Sequence, residues 1–240
     1  MAAESHERFR LGYPDDVVDR TLAFARRPVT HALEVGAGTG KATRAFASRG
    51  IAITAVEPDE DKHAVLERET AGMAVIAVRC TIEAYDGPPT GLVYAAGSFP
   101  WSGAPTGWSH AAHLLEDHGV LALFESRIRI KDPDLEAAIT RVLGDRDGAA
   151  RTADDAPAQD RARHHEEMEA SGLFADARHH RVERQLTLTQ QEYVGHVTTQ
   201  STFLRLPWPR RQLVLAQAFS VLPQQVVVDA SVDLDLARRA

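Results

Sequence analysis

Short, continuous apolar runs recur through the first half of the chain, at 32–35, 52–56, 74–78, 92–96 and 120–124. Each is too short for a stable helix and lacks polar alternation, the pattern of a strand covered on both faces. Helical spacing appears between them. Ala42, Ala45 and Phe46 share one face, and Trp108, Ala111, Ala112 and Leu115 fall at i, i+3, i+4 and i+7. A helix over 14–26 is predicted ahead of the first run, with Pro14 and Asp15 at its start and Val18, Leu22 and Ala25 along one side. Another is predicted to carry Leu135, Ala138, Ile139, Val142 and Leu143. Alternating buried strands and amphipathic helices predict an α/β fold, a doubly wound parallel sheet.

The pattern changes after residue 143. The stretch 144–167 has almost no apolar content and reads as a mobile polar loop. Beyond it, Val182, Leu186 and Leu188 are evenly spaced. Val228, Ala230, Val232, Leu234 and Leu236 alternate with Asp229, Ser231, Asp233 and Asp235. This predicts half-exposed antiparallel strands at one edge of the sheet, with helices at about 190–200 and 209–222 between them. The expected organisation is a helical cap over 1–30, a ligand-binding core over 31–130, a helix and polar loop over 131–175, and edge strands with pocket helices over 176–240.

Composition narrows the partners. The 240 residues carry a net charge of −7, which gives no support to nucleic-acid binding. No apolar run approaches a membrane span, and the opening MAAESHERFR lacks a signal peptide's hydrophobic region, so a cytoplasmic location is expected. The single cysteine, Cys80, excludes an internal disulfide and reads as a packing residue.

The stretch HALEVGAGTGKATRAFASRG, residues 31–50, carries the chemistry. A phosphate loop needs glycine where Val35 stands and Ser or Thr where Ala42 stands. A dinucleotide fingerprint needs its third glycine where Lys41 stands. What remains is an acid, an apolar residue and alternate glycines: Glu34, Val35, Gly36, Ala37, Gly38, Thr39, Gly40. An S-adenosylmethionine site needs such a loop, because backbone must approach the methionine part closely and side chains there would obstruct it. An acid at the strand end can take the ligand's ammonium group. The next run ends in AVEPD, placing Glu57 at the neighbouring strand's carboxyl edge, where one carboxylate accepts both ribose hydroxyls and Pro58 fixes the turn.

At these residues the chain resembles the class I S-adenosylmethionine-dependent methyltransferases, in particular the bacterial subgroup similar to trans-aconitate methyltransferase. RFRLGYPDDVVD, ALEVGAGTG, ITAVEPD, CTIEAYD, LVYAAGSFPW and LLEDHGVLALFESR resemble successive family segments. MEASGLFADA and QQEYVGHVTTQSTFLRLP resemble the later segments that cover the acceptor pocket. The resemblance implies a Rossmann-like, mostly parallel seven-stranded sheet with its last strand antiparallel, and a helical cap over that pocket. It implies that Gly36, Gly38 and Gly40 line the methionine end of the cofactor, with Glu34 and Thr39 beside them. Glu57 and Pro58 would then lie at the ribose, Thr81, Ile82 and Glu83 along the adenine, and Gly97 where cofactor and acceptor meet. Three positions depart from the family: Gly91 replaces a common Asp, Pro100 a common His before Trp101, and His118 the first of two glycines.

Methyl transfer from a sulfonium demands mainly in-line approach and desolvation. A carboxylate acceptor needs no base, whereas a phenol, hydroxyl or amine profits from one. The resemblance offers His196, Tyr193 and Tyr13 as candidate bases and pocket residues, His110 more remotely, and Phe99 and Trp101 as stacking surfaces. No metal site is expected: His110, His113 and His118 lack the i, i+4 pairing, His164 and His165 lie in or beside the polar loop, and His179 and His180 point to opposite faces of a strand. The leading expectation is a methyltransferase acting on a small molecule. The alternatives are a protein that binds the cofactor without transferring methyl, and an enzyme that uses the sulfonium charge for another reaction. The exposed sheet edge is a candidate homodimer contact.

Overall fold

A computed structural model of the chain describes residues 2–98, 105–143 and 166–240. Phe99, Pro100 and Trp101 lie outside the described residues, as does the expected polar loop except for Glu166 and Glu167, which open a helical stretch at 166–170. In chain order the elements are α1 (Ala2–Phe9), α2 (Asp15–Phe24), β1 (His31–Val35), α3 (Lys41–Ala47), β2 (Ala52–Val56), α4 (Glu60–Glu69), β3 (Val75–Val78), β4 (Thr90–Ala96), α5 (Pro105–His113) and β5 (Leu115–Ser126). They continue with β6 (Arg129–Ile130), α6 (Pro133–Leu143), β7 (Phe174–Val182), β8 (Gln185–Thr189), α7 (Gln190–Thr198), α8 (Ser201–Leu204), α9 (Trp208–Val221), β9 (Gln225–Asp229) and β10 (Val232–Arg239).

The chain forms two compact units that interleave in sequence. The larger comprises Gly12–Glu125, 166–182 and Val232–Ala240. Its seven-stranded sheet has the order β3-β2-β1-β4-β5-β10-β7, and β1 through β5 pair in parallel. The apolar runs become its buried centre: Leu33, Val93 and Leu121 face one side, and Ala32, Leu92, Tyr94 and Val120 the other. Phe46 of α3 stacks on Tyr94 with ring centroids 4.2 Å apart. α4 begins where the Asp59 side chain accepts from Lys62 N at 2.9 Å, satisfying one of the helix's free amides.

The alternating C-terminal run does not form one edge strand. It breaks at Ala230 and Ser231, and β9 and β10 belong to different sheets. β10 is interior, antiparallel to β7, which forms the edge. The aspartates that suggested solvent exposure are matched instead by β7. Asp233 is in register with Arg181, whose guanidinium lies 3.2 Å away, and Asp235 with His179, at 2.8 Å. Alternation thus marks ion pairing beneath an edge strand here, not a wet face.

The smaller unit comprises the described residues up to Leu11, 126–143 and Glu183–Ser231. Its sheet, β6-β9-β8, is antiparallel. α7 opens with a capping box in which Thr189 and Glu192 satisfy each other's backbone amides. The Phe9 ring lies against Gly195, where an added Cβ would stand 2.3 Å from it, and Arg10 donates to Thr199 Oγ1 at 2.9 Å. These contacts explain why the expected 1–30 segment divides at Leu11 and Gly12: α1 packs on α7, whereas α2 packs on α3 and β10.

Candidate functional site

The carboxyl ends of β1, β2 and β4 converge within the larger unit. Each element there stops at a residue that the next strand holds. Ala37 N donates to Val56 O at 3.0 Å, Glu57 N to Val78 O at 3.1 Å, and Gly97 N to Phe124 O at 2.8 Å. Gly36, Gly38, Gly40 and Gly97 all adopt left-handed φ, between 60° and 87°. At Gly36 the need is twofold, because φ is 66° and an added Cβ would lie 2.6 Å from Ser98 Cβ. Ser98 Oγ donates to Val35 O, so the end of β4 is fastened to the loop that follows β1.

Glu57 is 4% exposed and stays bound to this loop. Its Oε2 accepts from Gly38 N at 2.7 Å and its Oε1 from Asp59 N at 3.0 Å. Each oxygen therefore has one amide partner and further acceptor capacity. Thr39 is buried beside it and Pro58 is exposed. At the end of β3, Thr81 precedes a tight turn, Ile82–Ala84. Glu83 is held below the ordinary carboxylate range by its own backbone amide and by the Thr81 hydroxyl. His110 Nε2 lies 2.9 Å from Ile82 O, so its ring N–H ties α5 to that turn. This assigns His110 a positioning role that its sequence did not announce.

Glu34 differs from expectation. It is 1% exposed and turns between the sheet and α3, where its Oε2 accepts from Thr43 Oγ1 at 2.5 Å and from Tyr94 Oη at 2.9 Å. Its Oε2 is thus taken up by two hydroxyls of the protein rather than left for a ligand's ammonium group. Burial pushes its pKa up to about 8; the Thr43 and Tyr94 hydroxyls and the nearby Arg44 oppose that rise, and Glu57 adds to it. Burial and the neighbouring Glu34 raise the Tyr94 phenol well above its ordinary value.

Tyr13 reaches the same edge: its ring meets Phe124 edge-on at 4.9 Å, and its hydroxyl would be 3.6 Å from a Cβ at Gly97. Tyr193 and His196 belong to the smaller unit, each 5% exposed, with Tyr193 in that unit's apolar core. Gly91 sits at the amino end of β4, away from the loops, where an added Cβ would meet nothing closer than 3.9 Å. His118 takes φ 62°, the conformation for which a glycine is the ordinary choice, while Gly119 is held to glycine by Glu116 O, 2.9 Å from an added Cβ. Neither departure touches the glycine loop.

No family model matches the chain. Uncharacterized methyltransferases of Mycobacterium tuberculosis and Mycobacterium bovis are 42% identical to it over 57 residues, 24% of the chain; the chain spans 22% of the length of these relatives. Among solved structures, a proposed type II methyltransferase from Anaeromyxobacter dehalogenans superposes with a TM-score of 0.65 at 18% identity, covering 96% of this chain and 98% of the other. The chain has the methyltransferase fold. A proposed methyltransferase from an antibiotic biosynthesis pathway of Anabaena variabilis gives 0.61 at 14% identity, covering 92% and 96%. Phosphoethanolamine N-methyltransferase 2 of Haemonchus contortus, solved with phosphomonomethylethanolamine and S-adenosylhomocysteine, gives 0.57 at 14%, covering 99% of this chain and 56% of the other.

The last strand is reversed, as the resemblance implied, and the sheet is otherwise that of a Rossmann-like methyltransferase core. Thr43 and Tyr94 were missed by sequence reasoning. Tyr94 stands in register with Glu34 only because β1 and β4 are neighbours, a pairing that the 54 residues between Val35 and Thr90 and two other strands conceal. Among the described residues, no helix is long and apolar enough to cross a membrane.

Proposed function

We propose that this protein is an S-adenosylmethionine-dependent methyltransferase acting on a small molecule. The reading rests on one observation: a loop of left-handed glycines at the carboxyl edge of β1 lies against the buried Glu57 carboxylate, held by Gly38 N. The loop leaves backbone, not side chains, facing a ligand, which suits the methionine end of the cofactor. Glu57 retains acceptor capacity on both oxygens for a pair of ribose hydroxyls. The turn at Thr81, Ile82 and Glu83 follows the next strand outward, where the adenine would lie. Bound cofactor would supply a methyl group on a sulfonium that is already a good leaving group.

The chain's own task is to align an acceptor and keep water away. Of the three candidate bases, Tyr13 is the one whose hydroxyl stands beside Gly97 within the same unit as the loop. In its phenolate form it is the preferred proton acceptor for a phenol, hydroxyl or amine substrate, and it has no part with a carboxylate. A carboxylic acid of the trans-aconitate type is the first acceptor class to test, on the strength of the sequence resemblance. Calorimetric titration with S-adenosylmethionine, beside a Glu57→Ala variant, tests the cofactor. Binding by the wild type that weakens at least about tenfold in the variant supports the reading, since two ribose hydrogen bonds to a carboxylate are at stake. Absence of wild-type binding refutes it. Release of S-adenosylhomocysteine with panels of acids, phenols and amines then identifies the acceptor and separates transfer from mere binding.

A further inference from the structure

Two acids, not one, flank the glycine loop: Glu57 accepts from Gly38 N, and Glu34 stands on β1 just before it. Glu34 lies beneath the loop, and both its hydrogen bonds among the described residues come from hydroxyls. No ammonium or guanidinium among the described residues forms an ion pair with it. The charged groups around it are identifiable. From α3, Lys41 and Arg44 are nearest in sequence, but Arg44 donates to Thr39 O at 3.2 Å and lies 3.9 Å from Glu69 of α4. From β2 comes Glu57, from β4 Tyr94. The α2 acids Asp15 and Asp19 are engaged by Arg49 at the surface. A buried carboxyl with no counter-ion and a second carboxylate in electrostatic reach holds its proton. That balance reverses when a cation is placed in the loop.

We propose that Glu34 makes this site prefer the sulfonium cofactor over its demethylated thioether product, which keeps the α-ammonium but has lost the sulfonium charge: it releases a proton to solvent when a sulfonium occupies the loop, and takes one up when that charge has gone. The inference rests on the cofactor reading above. Glu34 acts as a specificity-determining residue through charge. Thr43 and Tyr94 are pre-placed to receive the anion, since both hydroxyls already point at the oxygen that would carry the charge. Binding of the charged cofactor should therefore tighten as pH rises toward 8, while binding of the product should change little.

The test is calorimetry of the full chain with S-adenosylmethionine and separately with S-adenosylhomocysteine, in buffers of different ionisation enthalpy at about pH 7.5. Wild type should release roughly half a proton or more per S-adenosylmethionine and markedly less with S-adenosylhomocysteine. Glu34→Gln should release none, and its preference for the charged ligand should fall by about tenfold. Tyr94→Phe removes a hydroxyl that favours the anion, so its greatest release should move to higher pH; this arm and the wild-type series decide the matter even if Glu34→Gln fails to fold. Wild-type binding without proton release, or unchanged release in Glu34→Gln, overturns the proposal alone. Failure of both ligands to bind overturns it together with the cofactor reading.

Discussion

Glu34 makes the pH dependence of folding stability a sharp test of the structure without any ligand. Its pKa stands at about 8 in the folded chain against an ordinary 4.5. Between those values the folded chain holds a proton that the unfolded chain has lost, so stability falls as pH rises through this interval. The contribution is fully present below 4.5 and lost once pH has passed about 8. At about 1.36 kcal/mol per pH unit the ceiling is about 5 kcal/mol. Glu34→Gln keeps the shape and the hydrogen-bonding capacity but cannot ionise, and so removes this loss. At about 2–4 °C per kcal/mol for a chain of this size, the wild-type melting temperature should fall about 10 °C relative to the variant between pH 5 and pH 9. Scanning calorimetry across that range measures the difference directly, and the other ionisable groups cancel in the comparison. Parallel curves for the two proteins would refute the assignment of a buried, neutral carboxyl at this position.

Gly36→Ala should abolish cofactor binding and cost about 2–3 kcal/mol in denaturant unfolding, because the side chain meets Ser98 at 2.6 Å in a left-handed conformation. Tyr13→Phe should leave cofactor affinity within about twofold, yet slow turnover of an amine or phenol acceptor by about a hundredfold and leave a carboxylate acceptor unaffected, in steady-state assays. Gly195→Ala should undock α1, seen as faster hydrogen exchange over residues 2–11, since the new Cβ would stand 2.3 Å from the Phe9 ring. Arg238→Ala should lower stability by about 3 kcal/mol in thermal unfolding, because Arg238 joins Asp176, Phe24 O and the Phe24 ring in a buried contact.

The features legible in the sequence were those set by local periodicity and by backbone chemistry. Runs of apolar residues located β1, β2, β3 and β4, and the glycines of 36–40 announced a close backbone turn, because both signals lie within a few consecutive residues. Long-range pairing left no such mark. Asp233 and Asp235 read as solvent-facing because their partners, Arg181 and His179, are some fifty residues away. The hydrogen-bond partners of Glu34 were hidden for the same reason: they are an α3 threonine and a β4 tyrosine, brought in by sheet order. The three-stranded sheet was also hidden. β6 is only two residues long, and β9 shares one unbroken alternation with β10, so nothing in the pattern marks where the chain leaves one sheet for the other.

The place of β10 also sets the order in which the chain can fold. It follows every other strand in sequence yet lies between β5 and β7, and β7 has no other neighbour in its sheet. Until β10 inserts, β5 remains a bare edge and β7 an unattached ribbon, although both were made far earlier during synthesis. Closing these pairings requires loops of about fifty to more than one hundred residues, a slow event by its entropy, and an open apolar edge in the interval invites aggregation. Expression yield should therefore be limited less by the final stability of the protein than by how long the nascent chain waits for its last strand.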